Sequence, residues 1–199
     1  MSTIVPMAFT LGDRDVRPLT AEEVLRMVDA GILSEDEPVE LLHGVLTAVS
    51  PKSPPHESVK MRLISWLWPG VLESRHLVRV EGPIIVPDRT SLPEPDIAVV
   101  EPRDYTACHP ATALLVIEVA ASSLRIDTRI KPALYAAAGI PELWVVDVAG
   151  LRLRIFREPR DGSYATETSA GVADFVAPTR VDAPPLALAE LFAGLTPAG

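Results

Sequence analysis

The chain has 199 residues, 48% of them hydrophobic and 23% charged, which suits one globular domain with a core of its own. Its net charge of −9 counts against a protein that coats nucleic acid without specificity, although an acidic metal site can adjoin a locally basic contact surface. No apolar run is long enough to span a bilayer, no basic-then-apolar leader opens the chain, and the single cysteine, Cys108, has no partner for a disulfide or a zinc site; the expectation is a cytoplasmic protein without a membrane partner.

Residues 1–18 are weakly patterned and read as an N-terminal arm to a single domain over 19–199. Thr20-Ala21-Glu22-Glu23 is a capping box, which predicts a helix to about Ala30, stopped by Gly31. Residues 40–49 predict a strand pair turning near Gly44. The spacing of Val59, Leu63, Trp66 and Leu67 predicts a helix from His56 to Glu73 after a proline-rich loop. Strands follow at 76–80, 83–86, 96–100 and 114–119. A helix is predicted over Asp127–Ala138, then a hairpin of 142–148 with 151–157. Residues 163–168 and 173–176 would extend the sheet, and 186–192 would close the chain as a short helix. Strands and helices in this order predict an α/β (α+β) fold with a central mixed β-sheet flanked by α-helices.

Two of these strands carry the chemistry. Pro95-Asp96-Ile97-Ala98-Val99-Val100 and Leu114-Leu115-Val116-Ile117-Glu118-Val119-Ala120 are apolar runs with one carboxylate each. A bare carboxylate is costly to bury, and two on neighbouring strands repel each other unless a cation lies between them. Taken singly, Asp96 reads as a turn cap after Pro95 and Glu118 as the partner of an arginine. Together they point to a divalent metal and to hydrolysis of a phosphate ester. Position 120, on the same side of the strand as Glu118, holds alanine where a catalytic lysine would be useful. Lys131 offers a substitute, since Asp127, Lys131 and Tyr135 recur at helical spacing; a surface Asp127–Lys131 pair is the plainer alternative. Glu40 could reach the same site. His56, at a helix start, and the basic Arg125 and Arg129 are candidates for phosphate contact.

The chain resembles the Uma-two family, within the PD-(D/E)XK nuclease superfamily. The resemblance is carried by Val39-Glu40-Leu41-Leu42-His43-Gly44, Ser53-Pro54-Pro55-His56, Glu94-Pro95-Asp96-Ile97, and above all Val116-Ile117-Glu118-Val119-Ala120-Ala121-Ser122-Ser123, continuing through Lys131 and Tyr135 to Trp144. It implies a restriction-endonuclease-like core, Asp96 and Glu118 as metal ligands with Glu40 assisting, and the superfamily lysine moved from the strand to Lys131. The expected activity is that of a metal-dependent endodeoxyribonuclease acting on DNA, with Mg²⁺ as cofactor, Mn²⁺ able to replace it, and a homodimer as the assembly. A catalytically inactive nuclease fold kept as an interaction protein is the alternative, and hydrolysis of a small phosphate ester is a third reading.

Overall fold

The computed structural model describes residues 9–11 and 14–197. Strands β1 (Phe9–Leu11) and β2 (Arg14–Val16) pair antiparallel, so part of the expected arm is a short hairpin. Helix α1 (Ala21–Asp29) opens on the expected capping box: Glu23 N–H donates to the Thr20 hydroxyl, and the Glu23 carboxylate accepts from Thr20 N–H. Strands β3 (Val39–Leu42) and β4 (Val45–Ala48) turn through His43 and Gly44, both at positive φ. An added Cβ on Gly44 would collide with the backbone of Pro18, so glycine is required there for space as well as for conformation.

Helix α2 (Pro54–Ser74) begins two residues earlier than expected, with Ser53 capping His56 N–H. Next come β5 (Leu77–Val80), β6 (Ile97–Val100) and β7 (Leu115–Ala120), helices α3 (Leu124–Arg129) and α4 (Lys131–Ala137), and strands β8 (Glu142–Asp147), β9 (Arg152–Arg160) and β10 (Ser163–Gly171). They form one six-stranded sheet in the order β10-β9-β8-β7-β6-β5, antiparallel except for β7 and β8. The parallel pair needs a crossover, and α3 with α4 supplies it.

Both faces of the sheet are covered. Val59, Leu63, Leu67 and Val71 of α2 pack on Ile97, Val99, Ile117 and Trp144. The opposite face, carrying Ala98, Val116, Ala120 and Val145, packs on Leu134 and Tyr135 of α4. Strand periodicity places Glu118 on this second face, beneath the crossover helices. Among the described residues no helix is long and apolar enough to cross a membrane.

Four expected elements differ. The helix over 127–138 is two helices that meet at Ile130, because Pro132 lacks the N–H a continuous helix would use and enters a helix only in its first turn. Residues 83–86 form no strand; Pro83 and Pro87 remove ladder donors, and Ile84 and Ile85 instead donate to Pro93 and Pro110 carbonyls. The segment 173–176 does not extend the sheet: β11 (Phe175–Val176) pairs with β12 (Leu186–Ala187) in a separate ribbon. That ribbon consumes the start of the expected final helix, leaving α5 (Leu188–Leu191).

Candidate active site

Strands β6 and β7 are hydrogen-bonded neighbours, with Ile97 opposite Ile117 and Ala98 opposite Val116. Continuing that register by one residue sets Asp96 opposite Glu118. Asp96 Oδ2 accepts Val119 N–H at 2.7 Å, which ties the aspartate to the Glu118 strand. Its Oδ1 lies 3.2 Å from His56 Nε2, and His56 Nδ1 lies 3.2 Å from Glu57 Oε1. The start of α2 thus brings His56 to the sheet edge, and an imidazolium there donates to a carboxylate at each nitrogen. Burial alone would lower the His56 pKa, but its hydrogen bond to Asp96, the Asp96 charge and Glu57 together raise it.

Lys131 occupies the centre of the cluster. Its Nζ lies 3.0 Å from Glu40 Oε1, 3.1 Å from Glu118 Oε1 and 3.5 Å from Asp127 Oδ1. Its position at the first turn of α4, after the break at Ile130, points the side chain down onto β7. Lys131 is 5% exposed, and burial opposes its charge, yet Glu118, Glu40 and Asp127 overcome that penalty and raise its pKa. Glu118, 2% exposed, is pushed well above the ordinary carboxylate range by burial; Lys131 opposes this and the charges of Asp127, Asp96 and Glu40 add to it. Tyr135, one turn beyond Lys131, donates to Glu118 Oε1 at 2.5 Å, and burial beside these acids raises its pKa, keeping the hydroxyl a donor. Burial also raises Asp127, whose second oxygen accepts from the Ser123 hydroxyl. Glu40 reaches in from β3, and its Oε1 accepts Glu94 N–H at 2.6 Å.

The structure therefore brings Asp96, Glu118, Lys131, Glu40 and His56 into one contiguous network. It does not bring Arg125 and Arg129 there. Both are exposed on α3, on the side away from buried Asp127, and among the described residues neither has an ion-pair partner. Two contacts were not expected from the sequence: the Ser123 hydroxyl on Asp127 and the Glu94 amide on Glu40. The four-residue step from Ser123 to Asp127 was the available signal for the first; nothing in sequence marks the second.

The donor set suits a hard divalent cation. Four carboxyl groups (Glu40, Asp96, Glu118 and Asp127) are buried against two basic groups, Lys131 and His56, so acids outnumber bases, and burial among them raises the pKa of Glu118 and Asp127. Glu118 Oε2 accepts no hydrogen bond among the described residues, and all the anionic ligands are oxygen. Among the described residues no three His, Cys, Asp or Glu side chains form a ready-made cage. Magnesium is commonly held by one or two carboxylates and completes its shell with water and substrate phosphate.

The family model described as Uma2, "Putative restriction endonuclease", matches residues 21–188. No curated protein matches. Among solved structures, the chain is similar to a crystal structure described as "a putative nuclease belonging to DUF820" from Anabaena variabilis ATCC 29413. The two share 18% identity with a TM-score of 0.72 over 88% of this chain and 98% of the other, a likeness of fold.

Proposed function

The chain belongs to the Uma2 family, and on that premise we propose that it is a Mg²⁺-dependent endodeoxyribonuclease whose active site is the buried network of Asp96, Glu118, Lys131 and Glu40. The observation that carries the reading is the charge imbalance: four buried carboxylates face one lysine and one histidine at the junction of β6 and β7. Asp96 and Glu118 would hold the metal. When bound, Mg²⁺ lowers the pKa of a coordinated water and neutralises charge on the scissile phosphate. His56 fixes the Asp96 carboxylate from one side, and Val119 N–H fixes it from the other. Tyr135 orients Glu118. Lys131 supplies a point charge for a phosphoryl oxygen, and Glu40 and Asp127 hold that ammonium over β7. Arg125 and Arg129 present free guanidinium groups to the flanking DNA backbone.

Cleavage of supercoiled plasmid with Mg²⁺ or Mn²⁺ tests the reading. Wild type should nick or linearise DNA, and Asp96→Asn and Glu118→Gln should each abolish this together with metal binding by titration. An inactive nuclease fold serving as an interaction protein is favoured by two observations: Ala120 leaves the strand without a lysine, and the Lys131 ammonium already lies among the acids. No cleavage and no metal binding by wild type would decide for it.

A further inference from the structure

Arg79 of β5 is a half-buried guanidinium without a counter-charge among the described residues. Its Nε is buried and has no hydrogen-bond partner there, and its Nη2 meets His109 Nδ1 at 3.3 Å. The acid two residues on, Glu81, is taken by Lys52 and Lys60. Arginine does not deprotonate in a protein, so burial cannot neutralise it as it would a lysine or a carboxyl group. A charge held partly out of water without an anion is costly, and a bound anion would relieve that cost.

Three groups hold the guanidinium in place. The Tyr105 ring lies against it, 5.8 Å from Cζ to the ring centroid, a cation–π contact. His109, from the same loop between β6 and β7, has its pKa lowered by burial and by the Arg79 charge. At neutral pH its unprotonated Nδ1 therefore accepts from Arg79 and adds no second cation. Gly82 closes the third side: an added Cβ would come within 2.8 Å of Nη2 and 3.2 Å of Nε. None of the three carries negative charge. The rotamer freedom of a long side chain is thus already lost before a ligand arrives, which is preorganisation.

Strand pairing sets this cradle beside the candidate active site. Arg79 is opposite Ala98, and Ala98 is opposite Val116. Asp96 is two residues before Ala98, and Glu118 is two residues after Val116. Side chains two apart share a face, so Arg79, Asp96 and Glu118 belong to one side of the sheet. From Arg79 to Asp96 is one strand across and two residues along, about 8 Å between Cα atoms. At a rise of roughly 3.4 Å per phosphate, that span is two or three nucleotides of a strand. A chain with a net charge of −9 repels DNA as a whole, so cations without a partner decide where a strand can lie.

We propose that Arg79, cradled by Tyr105, His109 and Gly82, is a preformed site for a backbone phosphate of the DNA strand, two or three nucleotides from the bond cut at Asp96 and Glu118. The inference rests on the nuclease reading above and adds the register in which the strand crosses the site. The planar fork of an arginine suits the oxygens of a phosphodiester, and a contact to the backbone carries no base preference.

Fluorescence anisotropy of a labelled DNA duplex, titrated with the full chain in Ca²⁺ over a series of salt concentrations, tests this. Arg79→Met should bind about tenfold more weakly, and its slope of log affinity against log salt should shrink by about 1. Its melting temperature should equal or exceed that of wild type, because the change removes an uncompensated charge and keeps apolar contact with Tyr105. Arg79→Lys should keep the slope and regain part of the affinity. Gly82→Ala displaces the guanidinium without removing its charge, and should also weaken binding. Wild type that cleaves plasmid in Mg²⁺ beside an Arg79→Met chain of unchanged affinity and slope would overturn the assignment and leave the nuclease reading standing. An Arg79→Met chain that melts well below wild type would overturn it too, by making Arg79 a structural residue. Wild type that neither binds nor cleaves DNA would remove both readings.

Discussion

Glu142 and Glu118 are both buried, on the adjacent parallel strands β8 and β7, and they lie on opposite faces of the same sheet. Glu142 Oε1 accepts from Trp144 Nε1 at 2.6 Å and from Arg157 at 2.7 and 3.0 Å, and its Oε2 accepts the Thr179 N–H and hydroxyl at 2.7 Å each. One arginine balances one carboxylate, and both oxygens are fully engaged. Around Glu118 the balance fails: three further acids share Lys131 and His56, and Glu118 Oε2 is left open. A carboxylate retained for architecture is neutralised by its surroundings. Glu118 is instead surrounded by more acids than bases, which is what the proposed metal site requires.

The largest expected effect tests the satisfied member. Glu142→Ala strands the Arg157 guanidinium, the Trp144 N–H and Thr179 together, and should cost about 3–5 kcal/mol by denaturant unfolding, with no recovery on adding metal. If the contrast holds, Lys131→Ala behaves differently. It should reduce plasmid cleavage by roughly two orders of magnitude, or about 2.7 kcal/mol, the scale of one lost transition-state charge contact. It should also destabilise the protein in chelator, because three buried acids lose their ammonium, and Mg²⁺ should restore part of that loss. Thermal melts with and without metal check this.

A smaller effect of opposite sign comes from Glu118→Gln, whose amide oxygen can still accept from Lys131 and Tyr135. Burial raises the Glu118 pKa, so the native state holds that proton more tightly than the unfolded chain does. The associated stability is present below the ordinary value of 4.5 and is lost as pH rises through the native value. In chelator at pH 8, Glu118→Gln should therefore be the more stable protein, and the difference should shrink toward pH 4. The smallest effects belong to Arg125 and Arg129. Each change to alanine should weaken DNA binding uniformly across sequences and reduce the salt-dependence slope by about 1. An unchanged slope would remove them from the DNA contact.

Much of this arrangement was legible before any coordinates. The apolar runs around Asp96 and Glu118 announced buried strands, because they are short, rich in valine and isoleucine and, at Asp96, preceded by proline. The Asp127, Lys131 and Tyr135 spacing survived even though the helix carrying it is broken, since the break at Ile130 leaves all three over β7. What failed depended on partners far along the chain. Whether Phe175 and Val176 join the large sheet or a ribbon is decided by Leu186 and Ala187, and local propensity does not reach that far. Lys131 and Glu40 were both candidates for the site, but their direct contact depends on Glu40 arriving from β3 and was not legible.

The crossover that carries Lys131 also orders events in time. β6 and β7 are antiparallel and meet through one loop, so Asp96 and Glu118 can come into register early. The parallel pairing of β7 with β8 must wait for α3 and α4 to close over the sheet, a slower step with a larger entropy cost. On that order, acid would meet acid before the ammonium that pairs with Glu118 is docked. Refolding should then be faster in mild acid, which protonates carboxyl groups, than at neutral pH, and stopped-flow refolding across that range checks it: the crowding of acids in the finished molecule would act as a brake on its own assembly.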